Sequence, residues 1–523
     1  MENKTKASSA NNKPKSLKNK NGKMGNLNQN QDPGIIYRLV KDLYVPLLAV
    51  FLLIIFAVFF LNSRNISTAN IQLSFIIGLV PMIGYSVYLK SQNKLSAETL
   101  TVLIIITGIF LRVVYTIYSP FTIRQHDVIG SSFNHLDYIK QIANNLALPN
   151  VGYCQAYHPP VHHIISAVFY KLGKVIGFDD FNAFRLVQLE MVFVNSMTLI
   201  FFYKILNLIK SNKLVILAAV SIFAFHPYNI YFSSFLNNDN TMYFFYILTV
   251  YYMIKWFKDT NIKNAVLLEV FLSLNILSKK PGIILIPTVF AVFIAAYIRD
   301  KSKLKNIIKQ VAVFILIAVP LSLSYSLRNL ILFGQGLMYV PGVNFERYAN
   351  NLKNLFYIPV SGLFTQPFTQ NPFTGRNELF ADYVLKSSLF GEWTFDGLEK
   401  IGTVLLLATI ACVIVIIAYL LIQNKKLFKG YGFIFLLNLV FPFALLLQSR
   451  LQNPVVCAQN FRYAGVGLIS VAYFYGHAVN KFSNSRFKFT KYIFAAITIA
   501  FCIVSAVFIL KIGVAPDSAY TYP

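Results

Sequence analysis

The residue types best suited to acid–base chemistry are concentrated between positions 124 and 163. The stretch opens with Arg-Gln-His-Asp at 124–127, continues with His-Leu-Asp-Tyr at 135–138 and ends with Tyr-His-Pro-Pro-Val-His-His at 157–163. It holds five of the seven histidines of the chain. A carboxylate here can accept a proton from a hydroxyl nucleophile, so Asp127 is a candidate general base and His126 a candidate substrate ligand. An alternative of equal weight is that Asp127 pairs with Arg124 or caps the next helix.

The histidines also raise the question of a metal. His158 and His162 are four positions apart, and the two prolines between them favour the start of a helix, so the pair can share a helix face. No Glu stands between them, so the zinc-protease pattern is absent. The plainer alternative is that these histidines bond to a neighbour or to a lipid headgroup. We expect that no cofactor is required and keep one divalent metal ion as an option.

Four cations are suited to hold an anionic group. Lysine and arginine together suit phosphate, because one offers a point charge and the other a planar fork of donors. The candidate substrate ligands are Lys279, Lys280, Arg328 and Arg462, joined by Asn238, Asp239, Tyr157 and His158. For each cation, anchoring in the lipid headgroups is the plain alternative.

The elements that must position these residues are membrane helices. Of the residues, 56% are hydrophobic and only 13% are charged, against roughly 25% charged in soluble proteins. The apolar residues come in blocks of about 20, the length that crosses a bilayer core. The net charge of +27 lies in short clusters between these blocks, which membrane topology explains better than nucleic acid does. We therefore expect no nucleic-acid partner.

The apolar blocks predict about 13 transmembrane helices. They lie at 43–61, 71–89, 99–118, 183–207, 213–232, 240–257, 264–278, 281–298, 309–332, 402–422, 431–448, 461–479 and 489–511. The polar, basic residues 1–34 predict a disordered tail. The stretch 160–176 is short and carries two histidines and two lysines, which favours an amphipathic helix at the membrane interface.

The positive charges orient the predicted helices. With the tail in the cytoplasm, every short inner loop is basic, as the positive-inside rule requires. The same arrangement puts two long segments, near 119–182 and 333–400, on the outer face, together with Asp127 and the four cations. Long loops in an otherwise economical protein tend to be functional. We expect a multi-pass membrane protein with a cytoplasmic N-terminus and an outward-facing active site.

The order of these features resembles the GT-C integral-membrane glycosyltransferases, specifically the protein O-mannosyltransferase and aminoarabinose-transferase-like group (glycosyltransferase family 39-like). The shared marks are an acid just after a span, Tyr-His-Pro-Pro, Asn-Asp, Leu-Ser-Lys, an Arg-Asn run that ends in Phe-Gly, and a late Phe-Arg-Tyr. They stand at 127, 157–160, 238–239, 277–279, 328–334 and 461–463. The likeness covers roughly residues 99–480.

The resemblance implies an all-α polytopic membrane protein of GT-C type, with an outer amphipathic-helix loop and a second long outer loop. It implies a polyprenyl-phosphate-linked sugar as donor and transfer with inversion to an acceptor hydroxyl. Carried over to this chain, Asp127 is the base, Lys279 and Arg328 are ligands of the lipid phosphate, and Arg462 is a weaker one. The implied partners are the lipid-linked sugar, membrane lipid and an acceptor that is a protein, a lipid or a wall polymer.

The chain departs from the family pattern in two respects. The family often has Asp-Glu where this chain has Asp127-Val128, so Asp137 is the candidate for a second catalytic acid. Two extra helices also precede the catalytic loop. The expected domains are a tail at 1–40, the two extra helices at 41–98, a catalytic core at 99–332 that includes the first outer loop 119–182, a second outer loop at 333–400 and C-terminal helices at 401–523.

A transporter or lipid flippase without covalent chemistry is the alternative function. It predicts charged residues deep inside the spans and broken helices near the middle of the membrane. Glu190 and Glu269 are the acids within the predicted spans.

Overall fold

The computed structural model describes residues 67–128, 134–152, 155–342, 346–369, 378–423, 430–484 and 489–520. All of these ranges fall in the second of two compact units, which spans 49–523. The predicted tail 1–40 and the predicted span 43–61 lie outside the described residues. Over the described ranges the regular structure is helical and contains no strand, in agreement with the expected all-α class.

The described α-helices are numbered here in chain order. They are α1 Thr68–Ser91, α2 Ala97–Tyr118, α3 His135–Asn145, α4 Val161–Val175, α5 Asp180–Leu208, α6 Lys213–Phe225, α7 Pro227–Tyr231, α8 Asn238–Lys258, α9 Ile262–Ser278, α10 Ile286–Arg299, α11 Leu304–Phe333, α12 Leu352–Phe356, α13 Val360–Thr365, α14 Phe380–Phe390, α15 Glu399–Gln423, α16 Gly432–Gln452, α17 Leu468–Ser483 and α18 Thr490–Ile512. Short 3-10 turns at Phe232–Ser234, Lys280–Leu285, Lys301–Lys303, Val456–Gln459, Phe461–Tyr463, Gly465–Gly467 and Asp517–Tyr520 complete the chain.

Within the described ranges, eight helical stretches are long and apolar enough to cross a bilayer. They are Thr68–Ser91, Ala97–Tyr118, Asp180–Leu208, Lys280–Arg299, Lys301–Phe333, Glu399–Gln423, Gly432–Gln452 and Thr490–Ile512. Helices α6 and α7 add a ninth if they form one span, although the chain bends by 60° between them. The bend falls where Pro227, which has no N–H to donate, begins α7. These helices make the chain an integral membrane protein.

The predicted count of about 13 spans is not confirmed. Three of the predicted spans are helical but fall short of the length or apolarity of a span. Helix α9 has 17 residues, α17 has 16, and α8 is longer but less apolar. The span predicted at 461–479 begins with two 3-10 turns, and its α-helix starts only at Leu468. Gly465 and Gly467 in that segment have low helix propensity, which favours the turns.

The central helices hold the site from behind. Helix α8 packs against α5 and α9, while α6 lies between α2 and α17. Arg112 on α2 is fully buried and donates through Nε to Asn195 Oδ1 at 2.7 Å and through Nη1 to the Ala224 carbonyl at 2.9 Å. These charge-assisted bonds tie α2 to α5 and to the end of α6. The loop that follows α2 therefore leaves from a fixed point.

Helix α4 is the helix that the sequence predicts at 160–176. Its N-cap is Pro160, the second of the two prolines that favour a helix start in the sequence. One face is buried and polar: Ser166 Oγ donates to Glu190 Oε2 at 3.2 Å, and His162 Nδ1 lies 2.9 Å from Thr241 Oγ1. The other face is apolar and exposed, with Val168 at 64% and Val175 at 75%. A buried polar face opposite an exposed apolar one fits a helix that lies against lipid. The location of α4 at the membrane interface stays a prediction.

The contact between α17 and α6 gives a test of the packing. A Cβ on Gly476 would lie 2.5 Å from the Val215 carbonyl oxygen and 2.9 Å from Ala219 Cβ, whereas a Cβ on Gly84 would meet nothing within 4 Å. We expect Gly476→Ala to lower the free energy of unfolding by about 1–3 kcal/mol, because backbone must move to admit the methyl group.

Gly84→Ala is the matched control on α1. It should leave stability unchanged or raise it by up to about 1 kcal/mol, because alanine is the better helix former. Thermal unfolding of the purified protein in detergent measures both. Equal melting temperatures for the two variants would contradict the close approach of α17 and α6.

Candidate active site

Asp127 lies on a tightly held loop after α2. Its backbone is left-handed, with φ of 58°, a conformation that aspartate tolerates better than most residues and that often marks functional sites. Gln125 braces this loop: its Nε2 donates to the Ser234 carbonyl at 3.1 Å, and its Oε1 accepts from Leu236 N–H at 2.9 Å. The Asp127 carbonyl accepts from His135 N–H at 3.2 Å. The loop that carries the Asp127 carboxylate is thus held by hydrogen bonds of the Gln125 side chain and of the Asp127 carbonyl.

The partner of the Asp127 carboxylate is Arg462. Arg462 Nη1 lies 3.5 Å from Asp127 Oδ2; the arginine side chain is 8% exposed and the aspartate side chain 46% exposed. Partial desolvation raises the pKa of Asp127, but the charges around it, Arg462 first, bring that pKa below its ordinary value. The sequence left open a pair with Arg124 instead, but Arg124 Nη2 donates to Ser119 Oγ at 2.8 Å. Asp127 is therefore an ionised acid, open on one side and backed by a cation on the other.

A second ion pair lies beside the first. Lys279 Nζ is 2.6 Å from Asp239 Oδ1, with the two side chains 8% and 1% exposed. Tyr463 stands between the pairs: Arg462 Nη2 donates to its hydroxyl at 2.9 Å, and Lys279 Nζ lies 5.4 Å from its ring centre. We call Asp127, Asp239, Lys279 and Arg462 the acid–base cluster. It joins four residues that the sequence places up to hundreds of positions apart.

The N-terminus of α8 holds buried polar atoms without hydrogen-bond partners. Both side-chain heteroatoms of Asn238, the Asn237 Nδ2 and the Asp239 Oδ2 are in this condition. Asn237 Oδ1 meanwhile accepts from Asp239 N–H at 3.2 Å and caps the helix. A buried unpaired polar group costs about 1–3 kcal/mol, so these atoms would gain by forming hydrogen bonds with a bound group. The predicted substrate ligands Asn238 and Asp239 both belong to it.

The predicted ligands His126 and Tyr157 have different neighbours. His126 Nδ1 lies 3.3 Å from Glu392 Oε2, and its ring lies 5.0 Å from that of Trp393. The Tyr157 ring is tilted by 35° against that of His158, with ring centres 4.0 Å apart, and Lys280 Nζ lies 5.7 Å from the Tyr157 ring centre. His126 is thus next to Asp127 in the chain and in contact with Glu392, whereas Tyr157 lies beside His158 and Lys280.

Glu392 is a member of the site that the sequence reasoning missed. It lies in the second long loop, and Asn460 Nδ2 donates to its Oε1 at 2.6 Å. Burial raises the pKa of Glu392, but His126, Arg462 and Asn460 together bring it down to about 2. The available signal was Gly391-Glu392-Trp393, in which an acid stands between a glycine and one of only two tryptophans.

Three histidines, His135, His158 and His163, form a buried group behind the Asp127 loop. His135 Nδ1 lies 2.9 Å from His163 Nε2, and the His135 ring stacks on those of His158 and His163. Burial lowers the pKa of all three side chains, so they are neutral hydrogen-bonding groups. Across the described ranges no group of three or more His, Cys, Asp or Glu residues is arranged to hold a metal ion.

Two predicted phosphate ligands lie away from Asp127. Arg328 donates through Nη1 to Asn329 Oδ1 at 2.9 Å and through Nη2 to the Pro149 carbonyl at 3.4 Å. Lys280 Nζ donates to the Tyr339 carbonyl at 2.8 Å. Among the four predicted cations, Arg462, which the resemblance ranked as the weaker candidate, is the one that contacts the acid.

The side chain of Asp137 is hydrogen-bonded within the N-terminal cap of α3. Asn134 N–H donates to Asp137 Oδ2 at 3.1 Å, and Asp137 N–H donates to Asn134 Oδ1 at 3.1 Å. This is a reciprocal capping box, which satisfies two of the unpaired donors at a helix start. The structure thus gives the predicted second acid a local structural role and brings Glu392 to the cluster instead.

Residues 157–325 match the family model of dolichyl-phosphate-mannose-protein mannosyltransferase. None of the curated proteins matches the chain. The family match agrees with the predicted resemblance to GT-C glycosyltransferases, and it supports a membrane glycosyltransferase. The matched segment contains Tyr157, His158, the α8 N-terminus, Lys279 and Lys280. A match to an enzyme family does not favour the transporter alternative.

The capping role of Asp137 separates it from Asp127 by experiment. Asparagine at 137 keeps an oxygen that can accept from Asn134 N–H, so Asp137→Asn should retain sugar transfer within about twofold. Asp137→Ala should lower the free energy of unfolding by about 0.5–2 kcal/mol through loss of the cap. Transfer assays and thermal unfolding measure the two effects. A hundredfold loss of transfer in Asp137→Asn, with an unchanged melting temperature, would restore Asp137 as a catalytic acid.

Proposed function

We propose that the protein transfers a sugar from a polyprenyl-phosphate-linked donor to an acceptor hydroxyl on the outer face of the membrane, with inversion at the anomeric carbon. The observation that carries the proposal is the pairing of a half-exposed acid with a buried cation, Asp127 with Arg462 at 3.5 Å. Such a pair offers a base to one substrate and a positive charge to the other. The family match supports the same class of reaction.

In the proposed reaction Asp127 takes the proton of the acceptor hydroxyl. The hydroxyl oxygen attacks the anomeric carbon, and the bond from that carbon to the phosphate oxygen breaks on the opposite face. The polyprenyl phosphate leaves with the electron pair of that bond and one additional negative charge. Arg462 supplies positive charge at the leaving group, and Lys279 adds to the potential through its buried position.

The contact between Arg462 and Asp127 also links donor binding to the strength of the base. While Arg462 faces Asp127, it stabilises the carboxylate and makes it a weaker base. A donor phosphate that attracts Arg462 would share that positive charge and raise the pKa of Asp127. The acid then becomes a better proton acceptor when the donor is in place, which limits reaction without substrate.

The apolar face of α4 supports delivery of the donor from within the membrane. A polyprenyl chain stays in the lipid, so the phosphate must meet the protein at the boundary of the bilayer. Helix α4 has its apolar face exposed and its polar face against α5 and α8, next to the histidine group. A helix in this position also keeps water from the reacting carbon.

The remaining partners and the orientation belong to the same proposal. The N-terminus is cytoplasmic and the acid–base cluster faces outward, as the basic inner loops indicate. Asn238, Asp239, Tyr157, His158, His126, Lys280 and Arg328 are proposed as further substrate ligands. The acceptor is a protein, a lipid or a wall polymer of the cell envelope, and the sugar is a hexose or a pentose; protein O-mannosylation is one instance. The proposed reaction uses no cofactor, so transfer should persist in chelator.

Asp127→Asn tests the proposed base directly. We expect the rate of transfer from a polyprenyl-phosphate sugar in liposomes to fall by about 10²–10⁴-fold, because the amide cannot take the proton. Asp300→Asn, at an exposed acid paired with Lys303 at 3.7 Å, is the control and should transfer at the parental rate. Equal rates for Asp127→Asn and the parent would overturn the assignment of the base.

The pKa of Asp127 gives a second test. The base must be ionised, and Arg462 holds its pKa below the ordinary value, so activity should not decline as pH falls until below about pH 4. Arg462→Lys weakens the contact and should move this acid limb to higher pH, toward the ordinary value. Profiles of log(kcat/KM) against pH for the two proteins measure the shift. An acid limb that stays in place in Arg462→Lys would show that Arg462 does not act on the base.

A further inference from the structure

Glu392 lies at the point where the second long loop meets the acid–base cluster. It follows Gly391, the C-cap of α14, whose φ of 63° is in the left-handed region. A Cβ at Gly391 would overlap the Trp393 ring, so only glycine fits there. The Trp393 ring in turn lies 5.0 Å from that of His126 and 5.3 Å from that of Phe235. The backbone on both sides of Glu392 is therefore fixed by packing.

The carboxylate of Glu392 closes a circuit of contacts. Its Oε2 lies 3.3 Å from His126 Nδ1, and His126 precedes Asp127. Its Oε1 accepts from Asn460 Nδ2 at 2.6 Å, and Asn460 Oδ1 accepts from Arg462 N–H at 2.8 Å. Arg462 then returns to Asp127 at 3.5 Å. Glu392 thus contacts both segments that carry the base and its cation.

A second bond joins the same two segments of the chain. Phe461 N–H donates to Ser387 Oγ at 3.2 Å, one turn before the end of α14. The 3-10 turn that carries Arg462 is thereby bound at two points, to Ser387 on α14 and to Glu392 in the loop just after it. Because a 3-10 turn has poor internal hydrogen bonds, outside contacts decide where it lies.

We propose that Glu392 is a positioning residue that sets Arg462 against Asp127 and so couples the second outer loop to the base. The catalytic consequence rests on the proposed function; the contact circuit does not. Glu392 acts on the reaction through Asn460 and Arg462, without touching the reacting atoms.

Positioning and direct electrostatics predict opposite shifts of the Asp127 pKa. Removing the negative charge of Glu392 would, by Coulomb's law alone, stabilise the Asp127 carboxylate and lower its pKa. Loss of positioning would instead let Arg462 move from Asp127 and raise that pKa toward its ordinary value. The direction of the shift therefore decides between the two roles.

The test compares Glu392→Gln with Asp382→Asn in transfer assays across pH. Glutamine keeps the size of the side chain but removes its charge. Asp382 is the matched control, because it is an acid on the neighbouring α14 with 14% of its side chain exposed against 17% for Glu392, and its described ion pair is with Lys386. We expect Glu392→Gln to lower kcat/KM by about 10–100-fold and to move the acid limb upward, since small displacements at a reacting group cost this much. Asp382→Asn should change neither.

A double-variant cycle tests the route. In an Arg462→Lys background, Glu392→Gln should cost less than about threefold, because its effect passes through Arg462. An acid limb that is unmoved or moves downward, or losses that multiply, would overturn the proposal.

Stability gives a readout that does not depend on sugar transfer. Glu392→Ala and Asn460→Ala should be non-additive in thermal unfolding, because they remove the two ends of one contact. Additive changes in melting temperature would refute the contact circuit. A parent protein that transfers no sugar would refute the proposed function, and the unfolding cycle would still decide the role of Glu392.

Discussion

The 3.5 Å contact between Arg462 and Asp127 is the constraint around which the site is built. A guanidinium that is 8% exposed has given up most of its water, and an arginine this buried must be matched by acids and hydrogen bonds. Asp127 supplies one match while leaving almost half of its own surface open. The arrangement keeps a charge ready at the boundary of the protein without neutralising it fully.

The neighbouring pair of Lys279 and Asp239 has a different character. Both side chains are nearly fully buried and their atoms approach to 2.6 Å. Removing one partner of such a pair typically costs about 3–5 kcal/mol, because the other charge is left buried and alone. Asp239 keeps one oxygen unpaired, Asn237 keeps its amide nitrogen unpaired, and Asn238 keeps both side-chain heteroatoms unpaired. The pair of Lys279 and Asp239 is therefore the more rigid of the two ion pairs, and the pair of Asp127 and Arg462 is the more open.

Much of the site could be predicted from the sequence, and the exceptions have physical reasons. Asp127 and Lys279 stand out because charged residues at the edges of apolar blocks are costly and because lysines on the outer side oppose the usual charge bias. The catalytic role of Asp137 stays a prediction, and its capping role could have been predicted, because Asn134 three positions earlier is a readable capping signal. Glu392 had only a local signal, an acid between a glycine and a tryptophan, because no periodicity relates a loop residue to a histidine hundreds of positions before it. The helices themselves followed from apolar blocks, whereas glycines turned the start of the 461–479 block into 3-10 turns.

Helix α4 has a consequence for how the protein behaves outside its native bilayer. Its exposed residues Ile164, Val168, Leu172 and Val175 form a stripe that water would disfavour, while its opposite face carries the histidines that pack behind the Asp127 loop. Whatever covers the stripe therefore also presses the histidine face into place. The geometry of the site thus depends on what surrounds α4, although α4 contributes no residue to the acid–base cluster. A small, strongly curved micelle and a flat lipid disc are two different mechanical supports for the same active site.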